Sequence, residues 1–225
     1  MEYEILHRPS YALLKVDMAA GESVSAEAGA MVSMSSGIEI ETSMRGGLFG
    51  GLRRKFLGGE SFFINTFSAS QSGEVNFAPS LPGDIYAVEL NNEVIFAQSG
   101  SFIASTEGVE VDSSWGGAKT FFSGEGLFLL RISGSGTVFL SSYGAIHEIM
   151  LDVGQSYTVD TGHMVSFAEG VGYDVRRVGG LKSTFFSGEG LVVELTGPGT
   201  ITIQSRSTDA FLAWLIPHLP SGDSG

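Results

Sequence analysis

Apolar and polar residues alternate along most of this chain in short runs, and glycines break the runs at corresponding places. Ile38-Glu39-Ile40-Glu41 and Val109-Glu110-Val111-Asp112 set aliphatic side chains on one face and carboxylates on the other, the period-two pattern of a half-buried strand. The leading segment from Met1 to His7 alternates at Tyr3 and Ile5 and predicts a strand that closes the body by pairing elsewhere. Helical signals are absent until the tail. There Ser207 or Thr208 caps a short helix through Asp209-Ala210-Phe211-Leu212-Ala213-Trp214-Leu215-Ile216, and Pro217 stops it. Phe211, Leu212 and Leu215 are expected to dock on the strands, and the last residues to fray.

The runs themselves recur. Thr120-Phe121-Phe122-Ser123-Gly124-Glu125-Gly126-Leu127 is rewritten as Thr184-Phe185-Phe186-Ser187-Gly188-Glu189-Gly190-Leu191, with a degraded copy at Phe56-Leu57-Gly58-Gly59-Glu60-Ser61-Phe62. A glycine-led element stands at Gly29-Ala30-Met31-Val32, Gly100-Ser101-Phe102-Ile103 and Gly162-His163-Met164-Val165. Around Gly134-Ser135-Gly136 and Gly197-Pro198-Gly199 the pattern predicts a hairpin, with a weaker copy between Phe67 and Phe77 around Gly73. A period of roughly 60 to 70 residues means a tandem architecture in which each unit covers its apolar face with its neighbours. The expectation is an all-β fold of three β-sandwich-like repeats, residues 10–83, 84–146 and 147–206, around a pseudo-threefold axis. Residues 1–206 then form one β body, and residues 207–225 a short C-terminal helix and tail.

Composition narrows the function classes. The chain has 225 residues, 32 glycines, no cysteine and a net charge of −13. That length is enough to bury about 70% of the unfolded surface. The acidic balance opposes general nucleic-acid binding, which needs Lys and Arg on phosphates, and the lack of cysteine excludes disulfides and thiolate metal sites. The acidic start Met1-Glu2-Tyr3-Glu4 is unlike a secretory signal, and no stretch approaches the roughly 20 apolar residues of a membrane span. A cytoplasmic protein, at most peripheral to a membrane, is expected.

Candidate chemistry is sparse. Glu60, Glu125 and Glu189 hold the same place in the three copies, so a threefold arrangement offers three carboxylates to one cation. The simpler reading has each accept backbone N–H groups of its own glycine turn. His7, His147, His163 and His218 form no ligand motif, and His163 near Asp160 is too weak a hint of a triad among so many serines. No phosphate-loop spacing is present. No catalytic residue, metal ligand or cofactor is therefore assigned. One segment stands apart: Arg45, Arg53, Arg54 and Lys55 lie among Leu48, Phe49, Leu52 and Phe56 in an otherwise acidic chain. This insertion, with Phe211 and Trp214 of the tail, is the candidate contact surface for an anionic membrane or a protein partner.

The three-copy Phe-Phe-Ser-Gly-Glu-Gly pattern, the Gly46-Gly47-Leu48-Phe49-Gly50-Gly51-Leu52 insertion and the Thr208-Asp209-Ala210-Phe211-Leu212-Ala213-Trp214-Leu215 tail resemble the family of the fungal "altered inheritance of mitochondria" type 24 protein. The likeness spans nearly the whole chain. That family in turn resembles the superfamily of the tryptophan RNA-binding attenuation protein, whose unit is a small β-sandwich assembled into rings. The resemblance implies an attenuation-protein-like β fold and, by analogy with mitochondrial members, membrane-associated scaffolding. It does not extend to the attenuation protein's RNA contacts, because no basic motif recurs in the three units. The function expected is a non-enzymatic, homo-oligomeric scaffold or binding module, with an RNA-binding or small-ligand-binding β protein as the alternative.

Overall fold

The computed structural model describes residues 1–43, 63–113, 128–177 and 191–220. It is built almost wholly of strands. The first third of the chain supplies β1 (Glu2–Leu6), β2 (Leu13–Met18), β3 (Ser23–Glu27), β4 (Met31–Met34), β5 (Ile38–Ser43), β6 (Ile64–Ala69) and β7 (Gly73–Phe77). The middle supplies β8 (Ile85–Gln98), β9 (Phe102–Thr106), β10 (Val109–Asp112) and β11 (Leu129–Ser141). The last third supplies β12 (Ile146–Leu151), β13 (Ser156–Asp160), β14 (Met164–Ala168), β15 (Gly172–Arg177), β16 (Leu191–Thr196), β17 (Gly199–Gln204) and the helix α1 (Thr208–Leu215). The helix starts where the sequence places it: the Ser207 hydroxyl accepts the Ala210 N–H, and a 3-10 turn at Ile216–His218 follows.

The strands form three open sheets. One runs β1-β2-β7-β4, one runs β13-β16-β15, and a ten-stranded sheet runs β12-β17-β14-β8-β11-β9-β3-β6-β5 with β10 on β11. Alternation decides which face is buried. In β2, Leu14, Val16 and Met18 are inside and Asp17 is outside, as a period of two requires.

The glycine-rich segments expected to be hairpins are not hairpins. β11 is one strand of 13 residues that passes straight through Gly134-Ser135-Gly136, with its register against β8 slipping between Gly134 and Ser135. β16 and β17 do not pair with each other: β16 lies between β13 and β15, and β17 between β12 and β14. β6 and β7 divide in the same way, β6 between β3 and β5 and β7 between β2 and β4. Between β6 and β7, and between β16 and β17, the chain thus crosses from one sheet to another, whereas β11 stays in the ten-stranded sheet throughout.

Three apolar cores follow, and they share residues across the expected repeat boundaries. Leu14, Val16, Phe67, Val75 and Phe77 pack with Ile85, Ile103, Ala104 and Phe139 from the middle of the chain. Phe96 and Leu129 from the middle join Leu151, Phe167, Val193, Leu195 and Ile201. The third core takes Ile64 from one side and Val165 from the other.

Two hydrogen-bonded joints link these regions. β9 pairs with β3 at Ala104↔Ala26, Ser105↔Ser25 and Thr106↔Val24. β14 pairs with β8 at Ser166↔Ala97, Phe167↔Phe96 and Ala168↔Ile95. In both, counting from the glycine-led element gives the same register. β9 and β14 also carry one skipped residue each against their other neighbour, at Ile103 and at Val165; β4 skips Val32 against β7. Just ahead of β8, Asp84, only 4% exposed, receives Arg8 through two parallel bonds, Nε to Oδ1 at 2.8 Å and Nη2 to Oδ2 at 2.9 Å. A planar guanidinium suits that geometry.

Candidate functional site

Strand ends from all three thirds of the chain converge on one cleft of about 350 Å³. Glu27 closes β3, Gln98 closes β8, Ser141 closes β11 with Ser142 just after it, and Gln204 closes β17; Asp209 and Leu212 of α1 and the Pro79-Ser80-Leu81 segment also line it. The turns after these strands are tied down locally. The Asp160 Oδ1 accepts the Gly162 N–H at 2.9 Å, Gln204 Nε2 donates to the Gly162 carbonyl at 2.9 Å, and Gln204 Oε1 accepts the Tyr143 N–H at 2.8 Å. Gln98, 5% exposed, accepts the Ser101 hydroxyl through Oε1 at 3.3 Å.

Glu27 is different. Among the described residues its carboxylate makes no hydrogen bond or ion pair, and burial pushes its pKa up to about 7. With no cationic neighbour to offset the loss of water, the neutral form is favoured. The described lining holds two carboxylates, Glu27 and Asp209, and no Lys, Arg or His. Above pH ~7, where Glu27 is ionised, the field of this lining favours a cation and opposes an anion.

Neither a triad nor a metal cluster is found among the described residues. His163 Nδ1 is 2.8 Å from the Gln204 carbonyl, while Asp160 is engaged by its own turn, so these two side chains are not partners. No group of three or more His, Asp or Glu is placed to hold a metal among the described residues. Tyr86, 7% exposed, bonds the Ser166 hydroxyl at 2.8 Å, and burial pushes its pKa up to about 12. It ties β8 to β14 as a neutral phenol.

The sequence-derived contact residues fare unequally. Glu60, Glu125, Glu189 and the whole insertion from Arg45 through Leu48, Phe49, Leu52, Arg53, Arg54 and Lys55 to Phe56 lie outside the described residues. Phe211 and Trp214 are described. Phe211 is half-buried and meets Tyr143 edge to face with ring centroids 6.2 Å apart. Trp214 is 61% exposed, as is Ile216, and Leu219 is 55% exposed. Leu215 is half-buried, whereas Leu212 is 41% exposed rather than docked, because its position on α1 faces the cleft. No helix among the described residues is long and apolar enough to cross a membrane.

Sequence reasoning missed Glu27. Its signal was faint: two residues ahead of Gly29, Gly100 and Gly162 stand Glu27, Gln98 and Asp160, three polar residues at a place where the alternation of each strand ends.

The profile described as mitochondrial biogenesis AIM24 matches residues 3–206. An uncharacterized protein of Streptococcus pyogenes serotype M6 is 29% identical over 232 residues, covering 100% of this chain and 93% of that protein. The crystal structure of a Streptococcus pyogenes protein superimposes with a TM-score of 0.79 at 28% identity, covering 97% of this chain and 99% of the other.

Proposed function

From the premise that the chain belongs to the AIM24 mitochondrial biogenesis family, we propose that it is a non-enzymatic, self-associating scaffold in the cytoplasm, built of three tandem β units about a pseudo-threefold axis. The observation that carries the scaffold reading is the exposed apolar C-terminal segment. Trp214 and Ile216 are each 61% exposed and Leu219 is 55% exposed, and exposed apolar side chains that include a tryptophan are typical of a contact surface. The threefold arrangement is supported by the three skipped residues Val32, Ile103 and Val165 and by the common register of the two joints.

Light scattering at tens of micromolar, the range of weak protein association, is expected to give a mass above that of one chain. Trp214→Ala with Ile216→Ser should weaken the assembly by about tenfold or more, as loss of a central aromatic contact does. A single-chain mass across that range sinks the reading.

A second reading, small-ligand binding, is favoured by the cleft and its unpartnered Glu27. An amine is the ligand class that fits two carboxylates among uncharged neighbours. Because the folded state raises the Glu27 pKa from 4.5 to about 7, the native chain holds a proton there that the unfolded chain has already released. Stability from this group is greatest below pH ~4.5, declines as pH rises towards ~7, and is level above. Glu27→Gln is expected to remove that decline and to raise stability at pH 8 by about 2 kcal/mol in urea unfolding. The same substitution should abolish binding of spermidine in calorimetry at pH 8. Wild-type protein that takes up no spermidine there eliminates the amine reading.

A further inference from the structure

Among the described residues, β4 and β13 each pair on one side only, β4 with β7 and β13 with β16. They are the strands that correspond to those used in the two internal joints. β9 and β14 bring the glycine-led element to a neighbour, and β4 is that same element in the first third of the chain. β3 and the end of β8 receive it, and β13 is the receiving strand in the last third. Each chain is thus left with one donor and one acceptor, complementary to each other and unpaired.

The chemistry of the edges points the same way. Outer strands are normally guarded by charge, which discourages pairing with another chain. β1 carries Glu2 and Glu4, β5 Glu39 and Glu41, β10 Glu110 and Asp112, β12 Glu148, and β15 Asp174 and Arg176. β4 reads Met31-Val32-Ser33-Met34 with no charge, and β13 has none before Asp160, whose carboxylate is engaged by its own turn. Exposure marks the vacancy. The first four residues of β9 and of β14 are buried, whereas all four of β4 are exposed.

We infer that β4 of one copy adds to β13 of a second copy, head to tail, reproducing between molecules the joint that β9–β3 and β14–β8 make within one. This inference rests on the reading of the protein as self-associating and names the surface. The register follows from the internal joints. Ala104 lies opposite Ala26, and Ser166 opposite Ala97; at the same distances from Gly29 and Gly162, Ser33 falls opposite Val159, and Met34 opposite Thr158. A heterologous contact of this kind closes into a ring or extends into a filament, and strand addition is an established mode of association.

The absence of cysteine from the chain makes the test clean. Met34→Cys and Thr158→Cys are to be made singly and together, both at exposed positions, with Tyr11→Cys, 73% exposed, as a control for random collision. Directly opposed residues of an antiparallel pair stand about 4.5–5.5 Å apart at Cβ, close to disulfide reach. On mild oxidation, the mixture of the two single variants should give covalent dimers at least about tenfold above the Tyr11→Cys control. The double variant should give covalent species of two or more copies. Unchanged thermal unfolding of the reduced variants establishes that the fold is kept.

A bridge formed within one chain, seen as a compact covalent monomer of the double variant, overturns the inference, because the two edges then meet in one molecule. Absence of any bridge while wild-type protein scatters as an oligomer also overturns it and leaves the self-association reading standing. Wild-type protein that is monomeric overturns both.

Discussion

Gly134→Ala is expected to cost the fold about 3 kcal/mol or more, a loss that lowers the melting temperature by roughly 6–12 °C for a chain of this size. Gly134 has φ +119, in the left-handed region that favours glycine, and an added Cβ would stand 2.1 Å from the Gly108 carbonyl oxygen. That oxygen already accepts the Ser135 N–H at 3.0 Å. Conformational strain alone accounts for about 1–3 kcal/mol. The contact adds to it, because β10 and β11 must separate and surrender their closing bond. Gly154→Ala separates the two causes: φ there is +76, but nothing lies within 4 Å of the new Cβ, so strain without contact is expected, about 1 kcal/mol. Equal losses at the two positions in denaturant unfolding would mean that the close approach at Gly134 plays no part.

Phe139→Ala is the second large effect, about 3–5 kcal/mol, the range for deleting a fully buried aromatic ring. Phe139 is 0% exposed and sits on β11 opposite Ala87 of β8 and Ala104 of β9. These two small neighbours leave the space its ring fills. It also meets Tyr3 edge to face with ring centroids 4.8 Å apart. Although β11 belongs to the middle of the chain, the ring packs in the core built chiefly by β2, β6 and β7. The substitution should therefore shift one unfolding transition as a whole. A separate early transition of the middle third would show that the cores are independent. Phe139→Leu, which keeps most of the volume, should lose less than about 1.5 kcal/mol.

How much of this was legible in the sequence depends on the range of the interactions concerned. Leu14, Val16 and Met18 announce a buried face because alternation is local, and Ser207 announces a helix start because its hydroxyl bonds three residues on. The glycine-led elements are similar in sequence, and each of the strands they open skips one residue against a neighbour, at Val32, Ile103 and Val165. The segment Gly134-Ser135-Gly136 was misread because Gly-X-Gly normally marks a turn. Here the glycines serve a close approach to Gly108, 26 positions away, that no window along the chain can reveal. Glu27 was silent for a related reason. A glutamate ending an amphipathic strand reads as solvated, and only the convergence of β8, β11, β17 and α1 around it removes the water. Arg8 and Asp84 are separated by 76 positions, so their pairing too belongs to tertiary structure.

The borrowed residues in the three cores set a timetable for biosynthesis. β3 gains its second neighbour only once β9 has been made, and the first core stays without Phe139 until β11 follows. The end of β8 likewise waits for β14, and the core around Leu195 and Ile201 takes Phe96 and Leu129 from chain made earlier. The first and the middle thirds of the nascent polypeptide each leave the ribosome with an unfinished edge that the next third completes. Folding is thereby tied to the direction of translation, and a ribosome that stalls between two thirds releases a chain whose exposed strand edge is a target for chaperones or for premature pairing with its siblings.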